Sequence, residues 1–290
     1  MVPPMSAAVQ EERGHAAELA RGERFEFGEN WRRFLQVLDE DRIAEAERSL
    51  GEMLGVDSLA GRRFLDAGSG SGLFSLAARR LGADSVHSFD FDPASVACTN
   101  ELRRRYFPAD PAWTVEEGSI LDAQFVARLG RWDVVYSWGV LHHTGAMWNA
   151  LELARSLVAE DGLLFISIYN DQGARSRAWR VVKQIFNRLP SGLRPLFASV
   201  VLVPRELLVA GAAFATGRPL GYVRRWTQYK SRRGMSRWHD LVDWIGGYPF
   251  EVAKPEEVLA FLGQRGFRPE RLVTVGGRSG CNEYVFRRHA

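Results

Sequence analysis

The segment Arg63-Phe64-Leu65-Asp66-Ala67-Gly68-Ser69-Gly70-Ser71-Gly72-Leu73-Phe74 joins a short apolar run to a helical pattern through three alternating glycines. A strand that ends in such a turn and continues as a helix presents free backbone N–H groups, which receive anionic groups. Glycine also lets the backbone approach a ligand closely. The segment therefore predicts a cradle for a nucleotide-like cofactor.

Short apolar runs alternate with helical segments on the C-terminal side of this junction. Five strands are predicted at 63–66, 85–90, 113–116, 133–136 and 163–168. Strands that alternate with helices form a parallel sheet with helices on both faces. Near the end, a helix is predicted from Pro255, followed by a hairpin of strands at 272–275 and 282–286. The predicted fold is an α/β, doubly wound, mostly parallel seven-stranded Rossmann-like sheet.

This pattern divides the chain into three predicted parts. Residues 1–60 form an N-terminal helical cover whose last helix ends near Gly51 or Gly55. Residues 61–170 and 251–290 form the core. Residues 171–250 form a large helical insertion after the fifth strand, because about 80 residues far exceed an ordinary connection of roughly 2 to 6. Within it, Leu196–Ala215 is apolar but contains Pro204-Arg205-Glu206, which predicts two packed helices rather than a membrane span.

The insertion is strongly basic, although the net charge of the chain is only +3. It contains 14 arginine and lysine residues and four acids. Its aromatic residues include Trp179, Trp226, Trp238, Trp244, Tyr222, Tyr229 and Tyr248. This mixture suits a lid over an aromatic or acidic small-molecule acceptor. The alternative is that the insertion forms an oligomer interface, as in a homodimer. No recognisable RNA-binding module accompanies the basic charge, so nucleic acid is not the predicted partner.

The amino-acid composition indicates the class of protein and the cellular compartment. The chain has 290 residues, 46% apolar and 25% charged, which is typical of a globular protein. Cys98 and Cys281 show neither metal-ligand spacing nor a disulfide framework, so no metal is predicted. Residues 1–40 have no apolar segment of a secretory signal. We expect a cytoplasmic protein.

The glycine pattern differs from the dinucleotide fingerprint G-x-G-x-x-G, because Leu73 stands where its third glycine is required. The form D-x-G-x-G-x-G, from Asp66 to Gly72, resembles the first motif of the class I S-adenosylmethionine-dependent methyltransferases. The resemblance implies S-adenosyl-L-methionine as cofactor and S-adenosyl-L-homocysteine as product. It also implies that the loop backs the methionine moiety, and that Asp66 helps to bind or orient the amino group. The implied binding residues here are Asp66, Gly68, Ser69, Gly70 and Gly72.

Three further motifs extend the resemblance over residues 61–168. Asp90 ends the second strand and corresponds to the acid that binds the ribose hydroxyls, with Phe91 beside the adenine. Ser119 and Ile120 follow the third strand, where the family usually places an acid for the adenine amino group. The fourth strand and its continuation to Thr144, with Ser137 at its edge, resemble the fourth motif of small-molecule methyltransferases, including the ubiquinone-biosynthesis type. Asp92 is predicted to cap the next helix.

Two groups of side chains have candidate roles in catalysis or cofactor cover. Trp31, with Phe25, Phe27 and Asn30, resembles the segment that folds over the cofactor, and an aromatic face also attracts a sulfonium cation; core packing is the alternative. His142 and His143 are candidate general bases, since an imidazole ordinarily titrates near neutral pH. The alternative is that the pair packs at, or caps, the next helix.

The predicted function is methyl transfer from S-adenosylmethionine to a small molecule at a hydroxyl, with a histidine as general base. Sulfur or nitrogen acceptors are the nearest alternatives. A second alternative is a membrane-peripheral enzyme that methylates a prenylated quinone, with the apolar helices and arginines contacting anionic lipid. A third is a non-catalytic protein that binds the cofactor.

Overall fold

The structure, a computed structural model, describes residues 14–217, 220, 241 and 244–289. The described helices are α1 (His15–Ala20), α2 (Phe27–Phe34), α3 (Glu40–Leu54), α4 (Leu73–Arg80), α5 (Pro93–Tyr106), α6 (Ala123–Leu129), α7 (Met147–Ser156), α8 (Ala174–Arg188), α9 (Arg194–Ala215) and α10 (Pro255–Gly263). The strands are β1 (Arg63–Ala67), β2 (Ser85–Asp90), β3 (Trp113–Glu117), β4 (Trp132–Trp138), β5 (Val158–Tyr169), β6 (Phe267–Val273) and β7 (Cys281–Arg288). A short 3-10 turn, Leu141–His143, follows β4.

The seven strands form one sheet in the order β3-β2-β1-β4-β5-β7-β6. Strands β1 to β5 pair in parallel, while β7 pairs antiparallel with both β5 and β6. The predicted mostly parallel, seven-stranded sheet is therefore confirmed. The strand order reverses direction at β1 and β4, and in an open α/β sheet ligands bind outside the carboxyl ends of the strands at such a point.

Apolar side chains cover both faces of the sheet. Neighbouring residues of a strand point to opposite faces, so Phe64 and Tyr136 join one core while Leu65 and Val135 join the other. Near-continuous apolar strands are expected when helices bury both faces of a parallel sheet. A third, smaller cluster of Phe25, Phe186 and Ile245 connects the N-terminal segment to the region after β5.

The helices before the core begin and end at the residues that capping chemistry favours. Asp39 accepts a hydrogen bond from the Arg42 N–H at 2.9 Å and caps α3, which ends before Gly55 in the left-handed conformation (φ 67°). Helix α2 is fixed to the core by Asp92, whose Oδ2 accepts the Gly28 N–H at 2.7 Å. The same carboxylate accepts the Ala94 N–H at 2.8 Å, which confirms Asp92 as the cap of α5.

The segment after β5 corrects one sequence prediction. Two packed helices were expected on either side of Pro204, but α9 runs unbroken from Arg194 to Ala215 with Pro204 inside it. A proline inside a helix removes one backbone hydrogen bond and strains the preceding turn, yet in α9 the turns on both sides of Pro204 remain helical. The predicted aromatic residues Trp226, Trp238, Tyr222 and Tyr229 lie outside the described residues. The division into three parts stays a prediction.

Replacement of Asp92 by alanine should destabilise the protein more than removal of an ordinary helix cap. Asp92→Ala removes both the cap of α5 and the buried bond to α2, and we expect a loss of about 2 to 3 kcal/mol in the free energy of unfolding. The matched control is Asp122→Ala, because Asp122 caps α6 without any bond to α2; its expected loss is about 1 kcal/mol. Urea denaturation measures both values, and equal losses would contradict the bond to α2.

Candidate cofactor and acceptor site

The glycine loop lies at the carboxyl end of β1 and is fastened to the end of β2. The N–H groups of Gly68 and Ser69 both donate to the Phe89 carbonyl, at 2.8 and 3.0 Å. Gly68, Gly70 and Gly72 have φ values of 86°, 55° and 80°, in the left-handed region that favours glycine. The loop is therefore a tight turn with a defined shape, as the sequence predicts.

Neighbouring chain segments pack directly against the loop glycines. A Cβ atom on Gly68 would lie 2.4 Å from a Val140 methyl, and one on Gly72 would lie 2.8 Å from Thr99 Cα. A Cβ on Gly70 would lie 2.9 Å from Trp31 Nε1. The tryptophan predicted to cover the cofactor thus lies over the middle of the loop.

Asp66 ends a chain of four buried polar side chains. The Trp113 indole N–H donates to Ser88 Oγ at 2.9 Å, and the Ser75 hydroxyl donates to Asp66 Oδ2 at 2.5 Å. Ser75 and Ser88 are joined by a 2.8 Å bond. Since the indole only donates and Ser75 gives its proton to Asp66, Ser88 must donate to Ser75. All donors therefore point toward the carboxylate, an arrangement in which each bond strengthens the next.

Asp90 connects the end of β2 to the glycine loop. Its Oδ2 accepts the Gly70 N–H and its Oδ1 accepts the Asp92 N–H, both at 2.9 Å. Desolvation raises the pKa of Asp90 to about 6, and burial raises the pKa of Asp66 to about 7 with a contribution from the Asp90 charge. The structure thus brings together the two predicted acids and the loop, and burial favours their neutral forms.

The residues predicted near adenine lie beside Asp90. The Gly118 N–H donates to the Asp90 carbonyl at 3.0 Å, which places Ser119 and Ile120 immediately after this contact. Ser119 Oγ accepts the Leu121 N–H at 3.2 Å, and Ile120 is buried. The half-buried Phe91 ring contacts His15, and the Arg24 guanidinium lies 4.9 Å from its centre.

Ser137 and Ser69 use their hydroxyl groups within the protein. Ser137 is fully buried and donates to the Ala67 carbonyl at 2.8 Å, which holds the end of β4 to the end of β1. The hydroxyl of Ser69 lies 2.9 Å from Thr99 Oγ1. These two side chains therefore position the loop. Their predicted contact with cofactor stays a prediction.

Helix α2 spans both halves of the site. Its Trp31 lies against Gly70, and the ring centre of its Phe27 lies 5.0 Å from that of His143. Residues four apart lie on the same face of a helix, about 6 Å apart along its axis. The glycine loop and His143 are therefore close together beneath one face of α2.

His142 and His143 occupy the 3-10 turn after β4, and both are buried. The Nδ1 of His142 lies 3.2 Å from the Ser167 carbonyl, and that of His143 lies 2.6 Å from the Pro249 carbonyl. A carbonyl only accepts, so each Nδ1 carries the proton and each Nε2 presents a lone pair. His142 Nε2 has no hydrogen-bond partner among the described residues.

The electrostatic environment keeps both imidazoles neutral. Burial, together with the Lys183 charge, lowers the pKa of His142 to about 3. Burial, His142 and Lys183 hold the pKa of His143 well below its ordinary value. The expectation of an imidazole that titrates near neutral pH is therefore wrong for this pair, because no carboxylate offsets the loss of solvent in the described structure.

Residues that sequence reasoning did not single out complete the site. Tyr169, at the end of β5, has its ring centre 4.2 Å from that of His142 and 5.5 Å from that of His143. Lys183 of α8 is fully buried, with its Nζ 5.6 Å from the Tyr169 ring centre and 4.9 Å from that of Phe250. The Glu251 N–H donates to the His142 carbonyl at 3.0 Å. Nothing in the local pattern distinguishes Lys183 from the other basic residues of its helix.

Comparisons with known proteins identify the class. The sequence profile of a family described as "Methyltransferase domain" matches residues 38–197, more than half of the chain. The chain belongs to this family. The predicted class, the S-adenosylmethionine-dependent methyltransferases of class I, is confirmed, and S-adenosylmethionine is the cofactor that defines it. The ubiquinone-biosynthesis subtype stays a prediction.

Two curated relatives match parts of the chain. The tRNA U34 carboxymethyltransferase of Methylococcus capsulatus is 28% identical over 191 residues, which cover 64% of this chain and 55% of the relative. The ribosomal protein L11 methyltransferase of the same organism is 38% identical over 71 residues, 24% of each chain. The chain thus spans about half the length of the first relative and about a quarter of the second.

Two solved structures share the fold. The magnesium protoporphyrin IX methyltransferase of Synechocystis PCC 6803 with bound SAH has a TM-score of 0.52 at 15% identity, covering 97% of this chain and 98% of that one. PKMT2 of Rickettsia typhi in complex with AdoHcy has a TM-score of 0.53 at 12% identity, covering 84% and 52%. At such identities the likeness concerns the fold alone.

The packing of the loop makes Gly72→Ala a sharp test of its shape. Gly61→Ala is the matched control, because Gly61 has nearly the same φ, 77°, with nothing within 4 Å of an added Cβ. Both variants should lose about 1 to 2 kcal/mol from backbone strain. Only Gly72→Ala should also push the Thr99 backbone away and weaken S-adenosylhomocysteine binding, by about tenfold or more. Calorimetric titration measures the affinities, and equal affinities would contradict the cradle.

Proposed function

We propose that the protein transfers the methyl group of S-adenosylmethionine to a phenol-like hydroxyl of a small molecule, with His143 as general base. The observation behind this proposal is that α2 covers the glycine loop and His143 with one face, through Trp31 and Phe27. Methyl transfer requires mainly that an acceptor be held in line with the donor, at about 3 to 3.5 Å. A base one helical turn from the loop suits that geometry.

The cradle fits a cationic cofactor. Asp66 is 1% exposed, and no ion pair joins it to a basic side chain in the described part of the chain. A buried carboxylate without a cation is costly, and the raised pKa of Asp66 expresses that cost. S-adenosylmethionine supplies an electrophilic methyl group on a sulfonium centre and also has an ammonium group. Asp66 would bind the ammonium and Asp90 the ribose hydroxyls.

His143 has the protonation state that a base requires. Its Nδ1–H is committed to the Pro249 carbonyl, so the Nε2 lone pair is free to accept a proton. The lowered pKa means that the imidazole is unprotonated at neutral pH, but also that it is a weak base. A weak base is effective only toward an acidic hydroxyl, and this favours a phenol over an aliphatic alcohol.

Lys183 and its aromatic neighbours fit such an acceptor. A buried positive charge lowers the pKa of a nearby hydroxyl because it favours the oxyanion. The Tyr169 and Phe250 rings lie beside Lys183 and would offer apolar faces to a flat ring. The ammonium that weakens the histidine base would therefore also make the acceptor easier to deprotonate.

His143→Asn tests the assigned base. The asparagine amide keeps a donor for the Pro249 carbonyl and removes the Nε2 lone pair. We expect kcat to fall about 100-fold, with cofactor affinity nearly unchanged. In the natural protein, kcat at saturating cofactor should show no loss near about pH 6.5, since the lowered pKa keeps the imidazole neutral to much lower pH.

His142→Asn is the matched control for this experiment. It keeps a donor near the Ser167 carbonyl, and its effect on kcat should be much smaller than that of His143→Asn. A nearly normal kcat for His143→Asn, or a larger loss for His142→Asn, would contradict the assignment. An activity profile with a limb at an ordinary histidine pKa would contradict the buried, neutral state.

The raised carboxyl pKa values predict how cofactor affinity depends on pH. Asp66 and Asp90, with pKa values of about 7 and about 6, take up protons as pH falls, and a neutral carboxyl no longer attracts the cationic ligand. Affinity should therefore rise with pH, by about tenfold or more between about pH 5.5 and pH 7.5. Calorimetry in several buffers should also detect proton release on binding. Asp66→Asn is the control, with weaker and less pH-dependent binding; a flat profile in the natural protein would contradict the raised pKa values.

A second candidate function is modification of tRNA. The relative with the longest match described above is a tRNA U34 carboxymethyltransferase, and the segment after β5 is basic and aromatic. Filter binding with total tRNA at physiological salt separates the two functions. Saturable tRNA binding that persists at physiological salt would favour the second candidate, and its absence would favour a small acceptor.

A further inference from the structure

Helix α9 exposes a continuous apolar face. Its exposed large apolar residues are Leu196, Val200, Val203, Leu207, Leu208 and Phe214. The first four follow one another at intervals of four, three and four residues, so they form one stripe along the helix. Leu207 is 66% exposed and Leu208 is 76% exposed, which means that the described protein covers little of either side chain.

The opposite face of α9 is also apolar, and the protein covers that one. Phe197, Val201 and Leu202 pack against the cluster of Phe25, Phe186 and Ile245. A helix at the surface of a water-soluble protein ordinarily presents polar residues outward once its inner face is packed. Since the described residues cover little of the outer stripe of α9, its composition favours a partner that is itself apolar.

The length and apolar composition of α9 are compatible with contact along a lipid bilayer. By length and composition, Ser191–Ala215 could cross a membrane, and no residue of its apolar window is fully buried inside the protein. However, contacts through Phe197 and Val201 hold one side of α9 against the protein. A helix held in this way cannot be surrounded by lipid, so it must lie in the plane of the membrane interface.

The charge on the neighbouring helix α8 distinguishes a lipid bilayer from a second copy of the chain as the apolar partner. Helix α8 exposes four arginines, at positions 175, 177, 180 and 188, and contains no acidic residue. On α8, the exposed apolar residues Val181 and Ile185 lie between the exposed Arg177 and Arg188. A second copy of the chain would bring like charge against this surface, whereas an anionic bilayer attracts it. We infer that α9 docks the protein in the plane of an anionic phospholipid bilayer, with the exposed arginines of α8 adding electrostatic attraction. This inference does not depend on which acceptor is methylated.

Flotation of the full-length protein with lipid vesicles tests the docking. Vesicles of phosphatidylcholine with about one third phosphatidylglycerol should carry the protein upward at physiological salt, and pure phosphatidylcholine vesicles should carry much less. The double variant Val200→Ser, Leu207→Ser should reduce the bound fraction about tenfold or more, because it removes two exposed apolar side chains from the centre of the stripe.

The double variant Val37→Ser, Val273→Ser is the matched control, since both valines are exposed but lie outside α9. It should float like the natural protein, and both variants should keep the natural unfolding midpoint and S-adenosylhomocysteine affinity. Failure of the natural protein to float, or equal flotation of the α9 variant, would overturn the inference. So would a stable dimer in sedimentation that the α9 variant dissociates, because a second copy would then cover the stripe.

Discussion

Two neighbouring carboxyl groups, the buried Asp66 and the partly buried Asp90, impose the central constraint on this structure. Burial makes ionisation of Asp66 costly, and the neighbouring charge of Asp90 adds to the cost. The Gly70 and Asp92 N–H groups, which bond to Asp90, and the Ser75 hydroxyl, which bonds to Asp66, compensate only in part. The folded protein therefore holds two carboxyl groups whose ionised form a bound cation would stabilise. Binding of a positively charged methyl donor would relieve part of the cost of ionising these carboxyl groups.

The groups around His142 and His143 are in the opposite electrostatic environment, with positive charge nearby. There the buried ammonium of Lys183 lies near two imidazoles that stay neutral, and contacts distant in sequence hold these groups together. The bond from His143 to the Pro249 carbonyl joins residues 106 positions apart. In the proposed complex the carboxyl groups would bind the cationic donor and Lys183 would adjoin the proposed base, so the two substrates would meet at a boundary between groups of opposite charge. Such a boundary would hold the sulfonium and the acceptor oxygen next to each other.

Local chemistry explains which features the sequence predicts and which it does not. The glycine turn, the position of Asp90 and the Asp92 cap depend on neighbours within a few residues, and the structure contains all three. The sequence prediction assumed that the helix is interrupted at Pro204, whereas α9 continues through it with helical turns on both sides. The place of Lys183 and the neutral state of the histidines depend on burial by distant segments. Residue type and spacing contain no information about that burial.

The line of donors from Trp113 through Ser88 and Ser75 to Asp66 has a consequence for how related sequences vary. Loss of either serine would leave a buried donor or acceptor unpaired, while joint replacement by apolar residues would remove the imbalance along with the polar groups. Trp113 in β3, Ser88 in β2 and Ser75 in α4 are therefore a single unit of variation. Homologues would retain all three or replace them together, even though only Asp66 belongs to the D-x-G-x-G-x-G motif.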